Sequence, residues 1–107
     1  MSTNYKKSST RLFLEKLRGG PLTFGGMIRS FRLADDVSQM ELADRMRISK
    51  ANLCDIEHGR RPVSIERAAQ FAKTMGYSET QFIAVALEDQ LRDAGFEAHI
   101  ELKVEAG

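Results

Sequence analysis

Cysteine is nearly absent: Cys54 stands alone among 107 residues, and tryptophan is missing altogether. A single thiol closes no internal disulfide, which suits a reducing compartment. No apolar run reaches the length of a transmembrane helix. No charged start leads into an apolar stretch with a small-residue cleavage site, so no secretory signal is read. The expected location is the cytoplasm, with no membrane partner. Paired carboxylates, a glycine-rich phosphate loop and a nucleophile motif are also missing, so the chain reads as a non-enzyme. Nothing suggests a small-molecule pocket, and no cofactor is expected.

What is present is the composition of one small globular domain, 42% hydrophobic and 29% charged. The formal net charge of +1 conceals a gradient. Residues 1–34 carry seven Lys/Arg against one Glu, a net of +6. Residues 35–63 stand at −1 and residues 64–107 at −4. A basic front suits a polyanion, and an acidic back would face away from it. Two merely solvated faces would give the same pattern.

Helix punctuation recurs along the chain. Met1–Lys7 is polar and aperiodic and reads as a tail. Ser9 or Thr10 caps a short helix, TRLFLEKLR, closed by Gly19 and Gly20, with Pro21 beyond. Thr23 caps the next helix, to about Ala34, with Phe24, Ile28 and Phe31 on one stripe. Gly25 and Gly26 weaken its first turn. Ser38 opens QMELADRM, and Glu41 completes a capping box. Leu42, Ala43 and Met46 give its buried side. Ile48 sits in a tight turn, and Ser49 caps KANLCDIEH, ended by Gly59. Ser64 caps a helix with Ile65, Ala68, Phe71, Ala72 and Met75 inward, stopped by Gly76. Ser78 and Gln81 form a second capping box, opening a long helix to about Ala94.

That last helix has two apolar stripes, one of Ile83, Leu87, Leu91 and Ala94, the other of Phe82, Val85 and Ala86. This is more apolar surface than a small monomer core needs. After Gly95, FEAHIELKVEA alternates, with Phe96, Ala98, Ile100, Leu102 and Val104 on one face. Strict period two predicts a strand with one buried side. His99 falls alone on the polar side and reads as solvent-facing. A lone strand needs a partner, and nothing else in the chain resembles one. The expected partner is the same strand of a second copy. The dimer contact would then use Ile83, Leu87, Leu91, Ile100, Leu102 and Val104.

The stretch ISKANLCDIEHGRRP, residues 48–62, raises a chemical question. Cys54 and His58 lie four apart, on one helix face, with Asp55 and Glu57 beside them. A metal site needs three or four ligands. Cys54 and His58 supply two, no other cysteine exists, and Asp55 is rotated away by about a quarter turn. No metal is expected. With Leu53 and Ile56 inward, Ala51, Asp55 and His58 point outward, flanked by Asn52 and Cys54.

Two short helices, residues 39–46 and 50–58, separated by a tight turn, have helix-turn-helix spacing. SQMELADRMRISKANLCDIEHGRRPVS resembles the helix-turn-helix of the phage repressor/Cro family, also called the XRE family. The likeness rests on Ser38-Gln39, Leu42-Ala43, Ile48-Ser49, Leu53, Ile56-Glu57, Gly59-Arg60-Arg61 and Pro62. FGGMIRSFR also resembles the family's first helix, so the likeness covers residues 23 to about 88. It implies an all-α, five-helix repressor-like domain over 23–95. Residues 1–22 would add the basic tail and short helix, and 96–107 the strand.

The resemblance implies a sequence-specific DNA-binding regulator, a repressor acting as a homodimer on double-stranded DNA. It places Lys50, Ala51 and Asp55 at base-reading positions in the major groove. Lys50 can donate to guanine, Ala51 can pack on a thymine methyl, and Asp55 can accept from cytosine N4. Asp55 also repels phosphates and so can exclude wrong sites. The family implies a phosphate contact for Gln39, at a helix start that favours anions in any case. Ser49, Asn52, His58, Arg60, Arg61 and Ser64 are further phosphate candidates. The family's matching Arg and Glu imply an ion pair between Arg32 and Glu57, and Glu57 lies near the inward side of its helix, where it needs a partner. Arg47 departs from the family's frequent glycine; a left-handed backbone there costs a side chain roughly 1 kcal/mol. An antitoxin, with the same core and a toxin-binding surface in the basic N-terminal segment, remains the alternative.

Overall fold

The computed structural model describes residues 22–103 and 105. Five helices form among them: α1 Phe24–Ala34, α2 Gln39–Met46, α3 Lys50–Glu57, α4 Ile65–Met75 and α5 Glu79–Asp93. The all-α, five-helix expectation holds. The expected tail and short helix of residues 1–21 lie outside the described residues. Leu22, just before α1, is buried in the core.

Hydroxyl caps open every one of these helices. The side chains of Thr23, Ser38, Ser49, Ser64 and Ser78 each accept the backbone N–H three residues on. Each such cap is worth about 1 kcal/mol. At α2 the Ser38 N–H also reaches Glu41, closing the full box. At α5 only the Ser78 half is made, and the Ser78 hydroxyl also meets Thr80.

The helix ends share a second device. A residue with positive φ follows each helix, at Asp36, Arg47, Gly59, Gly76 and Gly95. The next N–H then turns back onto the last helical turn: Val37 to Arg32, Ile48 to Ala43, Arg60 to Asp55, Tyr77 to Ala72 and Phe96 to Leu91. These are Schellman closures. Arg47, at φ 58 and ψ 42, adopts the left-handed backbone despite its side chain.

The apolar stripes meet in one core containing Phe24, Met27, Ile28, Leu42, Met46, Leu53, Ile56, Phe71, Phe82 and Val85. Phe24 packs edge-on against Phe71 and Phe82, at 5.8 and 6.0 Å between ring centres. Phe31 stacks on Tyr77 at 4.5 Å. The Tyr77 hydroxyl donates to Asp35 at 2.9 Å. Burial, then the hydrogen bond to Asp35 and that residue's charge, push the Tyr77 phenol up to about 12. Ile65, expected inward, is exposed, because it starts α4 beyond the edge of the core. Ala94 is exposed as well, since α5 ends before it.

Gly25 has a packing role rather than a merely weakening one. A Cβ there would be driven into the Ile56 carbonyl oxygen and would lie 2.8 Å from that of Glu57. The start of α1 thus rests on the end of α3, so opposite ends of the two helix dipoles meet. The first N–H of α1, on Phe24, donates to Asp89 of α5 at 2.9 Å.

The expected C-terminal strand is corrected. Residues 96–103 form no strand among the described residues. Phe96 and Leu102, meant for a buried side, are exposed. A strand's hydrogen bonds lie between segments, and the described residues hold no second extended segment paired with it. Instead the Ile100 N–H donates to the buried Glu88 carboxylate at 2.6 Å. His99 is exposed but not alone, with Nδ1 3.5 Å from Glu88.

Candidate nucleic-acid interface

The helical step divides α3 into two sides. Leu53, Ile56 and Glu57 are buried, whereas Lys50, Ala51 and the capping His58 are exposed; Asn52, Cys54 and Asp55 are half-buried between them. Lys50 and Arg61 make no ion pair among the described residues and leave their charges to solvent.

Beneath α3 the Glu57 carboxylate gathers three helices. Arg32 of α1 donates Nε to Oε2 at 2.7 Å and Nη2 to Oε1 at 3.1 Å. Gln39 of α2 donates Nε2 to Oε1 at 2.9 Å. Arg32 Nη1 reaches the Val37 carbonyl, in the α1–α2 loop, at 2.9 Å. The Glu57 side chain is fully buried. Removing one partner of such a buried pair leaves an uncompensated charge and costs about 3–5 kcal/mol. The Gln39 amide therefore has an inward task. For an outside anion α2 keeps the second Gln39 N–H hydrogen and the backbone N–H groups of Gln39 and Met40, since that of Glu41 is taken by Ser38.

The other phosphate candidates divide by what they already hold. The Ser49 and Ser64 hydroxyls accept cap bonds from Asn52 and Arg67, and each keeps its O–H hydrogen for an outside acceptor. Asn52 Oδ1 is buried without a donor. The NH2 end is therefore the part of this amide suited to a phosphate oxygen, which only accepts. His58 Nδ1 lies 2.8 Å from the Cys54 carbonyl. A carbonyl only accepts, so this nitrogen carries the hydrogen, and His58 can donate outward only through Nε2 as an imidazolium. The Cys54 thiol is 3.5 Å from the same Nδ1. Among the described residues no group of three His, Cys, Asp or Glu side chains is placed to hold a metal ion.

Arg60 is engaged. Its Nη1 lies 3.4 Å from Asp55 Oδ1. A separation of five does not bring side chains together on a continuous helix; the Gly59 turn does so here. This contact is absent from sequence reasoning, as is the Gln39–Glu57 bond. The second had a signal: Glu57 has more lone pairs than Arg32 alone satisfies.

Ile83, Leu87, Leu91 and Ile100, the expected dimer residues, are half-buried, and Leu102 is exposed. Val104 lies outside the described residues. A groove of about 780 Å3 runs between the start of α1, the α3–α4 loop and α5. Its walls mix Arg29, Arg61 and Arg92 with Asp89 and Asp93, so it offers no single sign of charge.

A family model described as a helix-turn-helix domain matches residues 23–82. The chain belongs to the helix-turn-helix domain family. Its two motif helices are α2 and α3, joined by the Arg47–Ser49 turn. Among solved structures, the clp gene regulator ClgR from Corynebacterium glutamicum is similar to it, with 33% identity and a TM-score of 0.54. The likeness covers 67% of this chain and 78% of that one. A comparison with curated proteins finds no match.

Proposed function

We propose that this helix-turn-helix protein is a DNA-binding transcriptional regulator, acting as a repressor, that lays α3 in the major groove. The observation that carries the reading is the family match over residues 23–82, which spans both motif helices. Its likeness to a gene regulator adds support. The local geometry is compatible: α3 is gripped from below by the Glu57 cluster while its other side is open.

Lys50, Ala51 and Asp55 are the proposed base readers: Lys50 and Ala51 because the N-terminal part of a second motif helix meets base edges, and Asp55 because it lies one turn on, on the same side as Ala51. Ser49, Asn52, His58, Arg61, Ser64 and the start of α2 at Gln39 are the proposed phosphate contacts. Two copies would bind half-sites about one helical turn apart. The half-buried Ile83, Leu87 and Leu91, with the exposed Phe96, are apolar surface left for that two-fold contact.

The test is binding to duplexes selected from a random pool and to their single-base variants, comparing wild type with Lys50→Ala and Asp55→Ala. Each variant should lose about 1–3 kcal/mol of discrimination at its own base pair. A loss equal on all sequences would reject direct reading. No preferred sequence at any salt would reject the regulator reading. For the dimer, deleting residues 96–107 should weaken self-association in sedimentation; unchanged association would remove the tail from the interface. The antitoxin alternative places its partner surface in residues 1–20, and a co-purifying toxin lost on their deletion would establish it.

A further inference from the structure

We propose that Arg60 is a positioning residue for Asp55, holding its carboxylate as an acceptor for a base rather than binding a phosphate. This rests on the reading that α3 lies in the major groove. Asp55 stands where a carboxylate is poorly placed. It belongs to the last turn of α3, where the helix dipole is negative, and that turn holds no basic residue. A bare carboxylate among phosphates is repelled as well. Arg60 answers both problems.

The pair is built into the chain termination of α3. Gly59, at φ +74, reverses the backbone. The Arg60 N–H then donates to the Asp55 carbonyl at 2.9 Å, and the guanidinium returns over the Asp55 side chain, Nη1 to Oδ1 at 3.4 Å. Arg60 is thus tied to one residue through both main chain and side chain. Only Oδ1 is engaged, so Oδ2 is left for a donor. Cytosine N4 presents such a donor in the major groove. The Asp55 side chain is 38% exposed against 65% for Arg60, so the carboxylate still reaches the open side of α3. The cation neutralises the carboxylate and fixes its rotamer, and the two act as one reading unit. Arg61, free of ion pairs among the described residues, is left as the loop's phosphate-binding arginine.

The experiment measures Kd of the full chain on its selected duplex and on the variants at each base pair, over a range of salt. The proteins are wild type, Asp55→Ala, Arg60→Ala, Arg60→Lys and the double variant Asp55→Ala/Arg60→Ala. Arg60→Ala should lose preference at the same base pair as Asp55→Ala, by about tenfold or more for a good base contact. The double variant should be no worse than Asp55→Ala alone, since neither residue acts without the other. Arg60→Lys should restore part of the preference, and the salt slope should stay at its wild-type value. A loss equal on every duplex, additive with Asp55→Ala and with the slope reduced by about one, makes Arg60 a phosphate contact and overturns the proposal. A wild-type chain that prefers no duplex overturns the DNA reading itself, and this outcome differs from the other. Arg60 is exposed, and an unchanged melting curve for its variants excludes misfolding as the cause.

Discussion

The motif, residues 38–64, and the tail, residues 96–103, meet the rest of the molecule in opposite ways. The motif sends Leu42, Met46, Leu53 and Ile56 into the core and fastens α3 from below through Glu57. The tail leaves Phe96 and Leu102 exposed and is tied to α5 through Ile100 and His99 at Glu88. The difference lies in where backbone bonds are made. A helix satisfies its own interior N–H and C=O groups, so it is free to sink one face and offer the other. An extended segment has no such internal bonds and takes its partners from elsewhere.

Substitutions can break that contrast, beginning with the anchor. Glu57→Ala should cost about 3–5 kcal/mol in denaturant unfolding, since Arg32 would stay buried without its carboxylate; Arg32→Ala should be comparable. An unchanged melting temperature in both would remove the anchor from the account. Gly25→Ala comes next, at about 1–3 kcal/mol, because the added methyl meets main-chain carbonyls rather than yielding side chains.

Tyr77 gives a pH signature for the packing between α1 and α5. Its folded pKa, about 12, lies above the ordinary value of 10.0 for a tyrosine phenol. The folded state therefore holds the phenolic proton longer. The contribution is fully present below pH 10 and is lost as pH rises toward 12. Two units at roughly 1.4 kcal/mol each would give about 3 kcal/mol, which solvent screening of this partly exposed phenol reduces to about 1–2 kcal/mol. Tyr77→Phe should flatten the stability curve over that window, and an identical slope in wild type and variant would refute the assignment.

Smaller effects complete the series. Arg47→Gly should stabilise by about 0.5 kcal/mol, the relieved left-handed strain less the entropy glycine returns to the unfolded chain. A loss of stability would mean that the Arg47 side chain makes an unseen contribution. Phe96→Ser should move stability by less than about 0.5 kcal/mol, as expected for a residue 63% exposed. A larger loss would place the tail in the monomer's core after all.

Helix starts were legible because a hydroxyl cap and its N–H partner lie three residues apart in the chain. Ser38, Ser49 and Ser64 mark them as letters in the sequence. Helix ends were legible where glycine stands, at Gly59, Gly76 and Gly95, and less so where Asp36 and Arg47 take the same backbone. The open side of α3 followed from Leu53 and Ile56, one helical step at a time. Bonds between distant residues were harder. Arg32 and Glu57 came through the family resemblance, whereas Gln39 on the same carboxylate and Asp89 on the first N–H of α1 had no local pattern.

By itself, then, the sequence determined the helices, their caps and which side of each is apolar, because those depend on neighbours within one turn. Tertiary structure alone decided that Gly25 must be bare, that Gln39 faces inward and that Arg60 folds back over Asp55. It also decided that the alternating tail forms no strand among the described residues. Each of these depends on a backbone or side chain that the local pattern does not place, and only packing brings the two together.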